Sequence, residues 1–136
     1  MPAHLFVYGT LMSWADSNYG RDNRERLHAA ATSLGPATVR GRLHDLGAYP
    51  GLAASGDPPD LVPGELLRLD DPDAVFPWLD AYEGIVAGAP DNEYERVTIE
   101  ARLAGGGTVT AWAYLCRLDV SALPRIAGGR WNCSPT

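Results

Sequence analysis

Alternating apolar and polar residues in the second half of the chain predict a β-hairpin. Residues 94–103 and 108–115 both alternate, and three consecutive glycines, 105–107, lie between them. Alternation with a period of two gives a strand two different faces, and a short glycine-rich link is typical of a hairpin loop. We therefore expect two antiparallel strands joined by a flexible loop.

Three other segments are predicted strands. Residues 4–8 are rich in apolar and aromatic side chains and are followed at once by Gly9, so we expect a buried strand that ends in a turn. Residues 62–69 are a second candidate, and residues 38–46 alternate charged and apolar side chains as a third. Residues 47–51, which come next, contain two glycines and a proline and are expected to form a turn-rich loop.

A first helix is predicted over residues 21–31, most of which are good helix formers. Leu27 and Ala31 lie four residues apart, so they would share one face of the helix. Gly35 and Pro36 follow, and this pair is expected to stop the helical segment. The result would be one short helix between the first two strands.

A second, amphipathic helix is predicted over residues 70–83. Gly84 follows as a stop signal, so the end of this helix is better defined than its start. Proline is tolerated in the first turn of a helix, so the regular part is expected to start near Asp73 or at Pro77. The apolar residues at helical spacing are Val75, Trp78, Leu79 and Tyr82.

These elements predict the fold class. Five or six strands and two short helices, without regular β-α-β alternation, favour an α+β fold: a small mixed β-barrel or curled sheet with flanking helices. A length of 136 residues suits one domain over residues 1–136, with an irregular tail from about residue 124.

Charge and composition narrow the possible partners. The net charge of −6 repels phosphate backbones and anionic membrane surfaces, so we expect neither nucleic acid nor membrane as a partner. The opening residues hold only a short apolar run without a basic leader, which indicates a cytoplasmic location. Cys116 and Cys133 are expected to be free thiols, with a bridge between them as the alternative.

Several enzyme classes lack their motifs in this chain. The nucleophile elbow, the phosphate-binding loop, the zinc-protease helix motif and the dinucleotide-binding glycine motif are all missing from the sequence. His4, His28 and His44 are scattered singly, so each is interpreted as a surface or packing residue. Acid chemistry by a carboxylate is the remaining possibility.

Glu83 is the candidate catalytic carboxylate. It lies one helical turn after Leu79, at the border of the apolar face and in the last turn of the predicted helix. The negative end of the helix dipole disfavours a charged carboxylate there, so we expect a raised pKa and a group suited to moving protons. The alternative is an exposed glutamate that ends a helix without a role in chemistry.

A glycine turn supplies a candidate binding element. Where the first predicted strand ends, the backbone N–H groups of Gly9, Thr10 and Leu11 are free to bind a carboxylate or an oxyanion. Many strands end in glycine, so this signal gains weight only in combination with others.

An ordered set of short motifs resembles the gamma-glutamylcyclotransferase-like family, which includes gamma-glutamylamine cyclotransferases. The resemblance runs from about Leu5 to Leu115. The matching motifs are Tyr8-Gly-Thr-Leu11, Gly47-Ala-Tyr-Pro-Gly51, Gly64-Glu-Leu66, Leu79-Asp-Ala-Tyr-Glu-Gly84 and Tyr94-Glu-Arg96.

The resemblance implies a small mixed barrel, a general acid and base at Glu83, and neither metal nor cofactor. It further implies that the backbone of residues 9–11 holds the carboxylate of a gamma-glutamyl substrate, with Tyr8 walling the pocket. Tyr94 and Arg96 match a family motif and are carried over as substrate-binding residues, although Arg96 could equally pair with Glu95 or Glu100. Among the other matched residues, Tyr49, Pro50, Gly51 and Glu65 are interpreted as structural, with Glu65 facing solvent.

Two segments set the chain apart from this family pattern. Residues 129–131 place an arginine where relatives often have an acid, so the role of the tail is open. The loop over residues 85–93 lies next to the candidate base in sequence and is expected to influence which leaving amine is accepted.

Three functional hypotheses follow. The first is a cyclotransferase that acts on a gamma-glutamyl amide or amine and releases 5-oxoproline and the free amine. The second keeps this site for a gamma-glutamyl group carried on an antibiotic precursor or a modified protein. The third is a non-catalytic module that binds a small carboxylate or a partner's chain end. Neither the oligomeric state nor the preferred amine can be inferred from the sequence.

Overall fold

The structure is a computed structural model that describes residues 3–8, 11–13, 21–45, 50–53, 61–83, 85 and 94–116. Within these ranges it contains seven strands and two helices, in an order that has no regular β-α-β repeat. The elements are β1 (His4–Val7), α1 (Arg21–Ala29), β2 (Ala31–Arg40), β3 (Arg42–Asp45), β4 (Pro50–Ala53), β5 (Leu61–Leu69), α2 (Pro72–Tyr82), β6 (Tyr94–Leu103) and β7 (Thr108–Cys116).

Five of the strands close into a barrel in the order β1-β5-β2-β6-β7. Neighbours along this order are antiparallel, and the barrel closes where β1 meets β7 in parallel, with Leu5 opposite Trp112. The strands β3 and β4 form a separate two-stranded sheet. The predicted α+β class with a small mixed barrel and flanking helices is therefore confirmed.

Each barrel strand contributes to two apolar clusters. One cluster takes all its buried members from the strands and the residue after β1, including Phe6, Leu66 and the small Ala111 and Ala113, so it fills the barrel. The other joins the opposite faces of these strands to the buried side chains of the helices, Leu27 from α1 and Val75, Phe76 and Leu79 from α2. The helices therefore cover the outer face of the barrel.

The first helix ends earlier than predicted. It stops at Ala29, and the chain enters β2 at Ala31, so Gly35 and Pro36 lie inside a strand and do not terminate the helix. The pairing of β2 with β5 shifts between Ser33 and Gly35, and Gly35 adopts a φ of 93°. Glycine takes this conformation without strain, so the expected stop signal is instead a β-bulge.

The second helix covers most of the predicted range. Pro72 occupies its first turn, where a missing N–H costs nothing, and the helix runs on through Pro77 to Tyr82. Pro77 removes one hydrogen bond, to the carbonyl of Asp73 in the exposed first turn. The helix thus starts near Asp73, in agreement with one of the two alternatives.

The loop predicted for residues 47–51 is partly wrong. Pro50 and Gly51 belong to β4, where they pair with Asp45 and His44 of β3. The other residues of that prediction, 47–49, lie outside the described residues, as does the tail from residue 117.

Candidate active site

Tyr8 fixes the end of β1 to β7, its parallel neighbour in the barrel. This residue is 8% exposed, and its hydroxyl donates a hydrogen bond of 2.6 Å to the backbone carbonyl of Tyr114 in β7. Leu11, three positions later, is buried as well. Gly9 and Thr10 lie outside the described residues, so the predicted carboxylate-binding turn is described only at Leu11.

Glu83 ends α2, as predicted. Its backbone N–H donates to the carbonyl of Leu79 at 3.0 Å, which closes the last helical turn. The side chain is partly buried, and its negative charge acts on the phenol of Tyr114. The charge of Glu83 therefore lies close enough to the phenol of Tyr114 to disfavour its ionised form.

A hydrogen-bonded network lies one turn before Glu83. Asp80 accepts a hydrogen bond of 2.6 Å from the Tyr114 hydroxyl and one of 2.9 Å from Nε of Arg96. A third bond, from an outer guanidinium nitrogen of Arg96, reaches the second oxygen of Asp80 at 3.3 Å. Arg96 and Tyr114 are directly opposite in the β6–β7 ladder, so the hairpin presents both donors to one carboxylate on α2.

The guanidinium of Arg96 also lies against two aromatic rings, which are in edge-to-face contact with each other. Its central carbon lies 4.0 Å from the ring centre of Phe76 and 4.6 Å from that of Trp112. A planar cation gains from such stacking in addition to its ion pair. The acid that pairs with Arg96 is Asp80, rather than Glu95 or Glu100 of its own strand.

Tyr114 is kept in its neutral, donating form. Burial raises the pKa of Tyr114 well above its ordinary value, and the hydrogen bond to Asp80 and the charges of Asp80 and Glu83 act in the same direction. The charge of Arg96 opposes them in part. The phenol therefore remains a hydrogen-bond donor to Asp80 across the physiological pH range.

Tyr94, at the start of β6, is 4% exposed and belongs to the apolar cluster between barrel and helices. It lies on the same face of the strand as Arg96, since the two residues are two positions apart. The structure thus brings Tyr94, Arg96 and Glu83 to the α2 side of the barrel, and their role toward a substrate stays a prediction.

Glu65 is not exposed, contrary to the interpretation from sequence. It is 0% exposed and accepts hydrogen bonds from Ser13 and Ser33. Alternation along β5 was the signal that could have revealed this, because Glu65 shares a strand face with the core residues Leu67 and Leu69. Asp80 and Tyr114 were also missed, since their contact joins residues 34 positions apart.

The described ranges contain neither a metal-binding cluster nor a membrane-spanning helix. No group of three or more His, Cys, Asp or Glu side chains in those ranges is arranged to hold a metal ion. Neither of the two helices described is long and apolar enough to span a bilayer.

Comparison with solved structures finds the same fold in several organisms. An AIG2-like protein from Mus musculus superposes with a TM-score of 0.70 at 22% identity, over 96% of this chain and 88% of the mouse chain. YtfP from Escherichia coli gives 0.60 at 27% identity, over 94% and 95% of the two chains. YkqA from Bacillus subtilis gives 0.67 at 22% identity, and the match covers 96% of this chain but 40% of YkqA.

Comparison of the sequence itself gives the family. No curated protein matches it significantly. The profile of the family described as gamma-glutamyl cyclotransferase, AIG2-like, matches residues 5–133, nearly the whole chain and all five motifs that carried the resemblance. The chain therefore belongs to the gamma-glutamyl cyclotransferase, AIG2-like family.

Proposed function

We propose that the protein is a cyclotransferase that acts on a gamma-glutamyl amide or amine, with Glu83 as general acid and base. The observation that supports this most directly is the set of contacts around Tyr114. Its carbonyl accepts a hydrogen bond from Tyr8, the residue before Gly9, while its phenol donates to Asp80, one helical turn before Glu83 on α2. One residue of β7 thus connects the segment proposed to bind the substrate carboxylate with the proposed proton shuttle.

The reaction needs no protein nucleophile. The α-amino nitrogen of the substrate attacks its own γ-carbonyl carbon, a C–N bond closes a five-membered ring, and the C–N bond to the leaving amine breaks. The nucleophile must first lose a proton, and the departing amine must gain one. Glu83 would take one proton from the substrate ammonium and return it to the leaving nitrogen. The ring nitrogen loses a second proton as the amide forms, and the departing amine takes it up, so the products are 5-oxoproline and the amine as its ammonium ion.

Orientation of the substrate is the second requirement. Backbone N–H groups of residues 9–11 would hold the α-carboxylate and so place the amino group next to the γ-carbonyl. This orientation lowers the entropic cost of ring closure. Tyr8 would wall this pocket, and Tyr94 and Arg96 are proposed to complete it. The loop over residues 85–93 is proposed to select the leaving amine.

The test is a panel of gamma-glutamyl amides, amines and dipeptides, with 5-oxoproline detected by mass spectrometry. At least one member should be converted by the wild-type protein. Glu83→Gln keeps the side-chain shape and removes the titrating group, so kcat should fall by about 10²–10⁴. Asp73→Asn is the matched control, because it removes one negative charge from the exposed first turn of the same helix and should keep wild-type kcat.

The outcomes separate the hypotheses. Undiminished turnover in Glu83→Gln would remove this residue from the mechanism. No turnover of any compound, together with calorimetric binding of 5-oxoproline or glutamate, would instead support a non-catalytic carboxylate-binding module.

A further inference from the structure

Among the side chains whose burial the structure describes, Glu65 is the one charged group that is fully buried. A carboxylate without water is costly unless hydrogen-bond donors replace its hydration. Three donors surround this one. The backbone N–H of Ser13 lies 2.6 Å from Oε1, and the hydroxyls of Ser13 and Ser33 lie 2.7 Å and 2.6 Å from Oε2.

These donors come from two different parts of the fold. Ser33 belongs to β2, a barrel strand that is already paired with β5 along most of its length. Ser13 lies in the segment 11–13, which begins with Leu11, the last residue of the predicted carboxylate-binding turn. Glu65 itself is opposite Val7, the last residue of β1. The carboxylate of Glu65 therefore attaches residues 11–13 to β5. This strand also pairs with β1, which lies before the turn.

Helix α1 strengthens the same attachment through His28. The Nε2 atom of His28 lies 2.7 Å from the carbonyl oxygen of Leu11 and 3.9 Å from Oε1 of Glu65. With a proton on Nε2, the ring donates to Leu11 and its positive edge faces the buried carboxylate. Leu11 and Ser13 are thus both held, while Tyr8 is fixed to β7 on the other side of the turn.

The surroundings of Glu65 do not suit proton transfer to a substrate. It has no exposed surface, and both of its oxygens are hydrogen-bonded to protein donors. A proton shuttle must reach the reacting atoms, directly or through one water. Its contacts instead suit a residue that fixes the backbone, because a carboxylate can accept several hydrogen bonds in a defined geometry.

We propose that Glu65 is a positioning residue for substrate binding: by holding Leu11–Ser13 against the barrel, it fixes the backbone that receives the α-carboxylate of the gamma-glutamyl group. This inference rests on the proposed function, since it assigns Glu65 to the carboxylate end of that substrate. It predicts an effect on KM larger than that on kcat, because the carboxylate is bound equally in the ground state and the transition state.

The two serines offer a matched test. Ser13→Ala and Ser33→Ala each remove one hydroxyl from the same oxygen of Glu65, and both residues are exposed, so both variants should fold. Only Ser13 belongs to the attached segment. With the best substrate of the panel, Ser13→Ala should raise KM about three- to tenfold with kcat within about twofold, whereas Ser33→Ala should keep KM within about twofold.

Two further measurements make the test specific. Ser13→Thr retains the hydroxyl and should restore a KM close to wild type. Hydrogen exchange followed by mass spectrometry should show faster exchange in peptides that span residues 9–13 in Ser13→Ala, but not in Ser33→Ala. A loss of overall stability alone would not produce this difference between the two variants.

The possible failures are distinguishable. If wild-type protein converts a substrate and the two alanine variants have equal KM values, the role of Glu65 is refuted and the cyclotransferase proposal stands. If wild-type protein converts nothing on the panel, the proposed function fails, and the assignment of Glu65 to substrate positioning fails with it.

Discussion

The hydroxyl of Tyr8 and the backbone carbonyl of Tyr114 are joined by a hydrogen bond of 2.6 Å across 106 positions of sequence. The phenol of Tyr114 in turn donates to Asp80, three residues before Glu83 on α2. These two hydrogen bonds attach both the end of β1 and the end of α2 to Tyr114 of β7. The spacing between the proposed carboxylate-binding segment and the proposed proton shuttle therefore depends on the barrel.

Removal of the Tyr8 hydroxyl tests this dependence. Tyr8→Phe keeps the ring and its contact with Phe6 but deletes the bond to Tyr114. The free energy of unfolding should fall by about 1 kcal/mol, as for a typical buried hydrogen bond. The kcat/KM should fall as well, because the segment that follows β1 loses one of its attachments to β7. Urea denaturation and substrate turnover measure the two effects, and an unchanged value of both would show that the bond positions nothing.

Arg96 provides a prediction about stability. Arg96→Lys keeps the charge but cannot make two parallel bonds to Asp80 while lying against the rings of Phe76 and Trp112. We expect a loss of about 1–3 kcal/mol in the free energy of unfolding, measured by urea denaturation. Arg102→Lys is the control, since Arg102 is an exposed residue of the same strand and its replacement should be nearly neutral.

The same pair of variants tests the substrate role predicted for Arg96. If the guanidinium contacts substrate, Arg96→Lys should raise KM even under conditions in which the variant is fully folded. A large rise in KM with wild-type stability would contradict a stabilising role for the contacts of Arg96 with Asp80, Phe76 and Trp112, and would favour direct binding.

The strands of the β6–β7 hairpin were predicted correctly from the alternation of apolar and polar residues. The alternation of residues 94–103 and 108–115 located β6 and β7 to within one residue, because each strand has one buried face and the glycines fix the turn. The start of β2 was missed, since Gly35 and Pro36 punctuate helices more often than they form bulges. Only the pairing with β5, which is a tertiary relationship, identifies them as part of a strand.

The chemistry was predicted less completely than the fold. The position of Glu83 at the end of α2 was predicted because helix periodicity and a glycine stop define it, and its catalytic role stays a prediction. Asp80, Tyr114 and the buried carboxylate of Glu65 act through contacts between distant parts of the sequence. No spacing rule specifies such contacts, which arise when the barrel closes.

A substitution at Gly64 tests how closely the backbones of β1 and β5 approach each other. A Cβ added at this position would overlap the carbonyl oxygen of Val7 and would lie 2.6 Å from Cζ of Phe6. Backbone cannot move aside cheaply, so Gly64→Ala should destabilise the protein by about 1–3 kcal/mol. Gly105→Ala is the matched control, because a Cβ there meets no atom within 4 Å. Equal thermal midpoints for the two variants would show that β1 and β5 are less closely apposed.

The raised pKa of Tyr114 predicts how the free energy of unfolding changes at alkaline pH. Its pKa is raised in the folded protein, mainly by burial and further by the hydrogen bond to Asp80. In the unfolded chain a tyrosine ionises near pH 10, so above that pH the unfolded state releases a proton that the folded state retains. Unfolding is then favoured, and Tyr114 should reduce the free energy of unfolding by about 1.4 kcal/mol for each further pH unit, whereas its contribution is constant below pH 10.

The measurement compares wild type with Tyr114→Phe in urea denaturation at a series of pH values from neutral to strongly alkaline. Wild-type stability should fall more steeply above pH 10, because the variant lacks the group that ionises only on unfolding. Five of the six tyrosines remain in the variant and contribute equally to both curves, so the difference isolates Tyr114. Parallel stability curves would mean that the phenol of Tyr114 ionises in the folded protein, which is incompatible with its buried bond to Asp80.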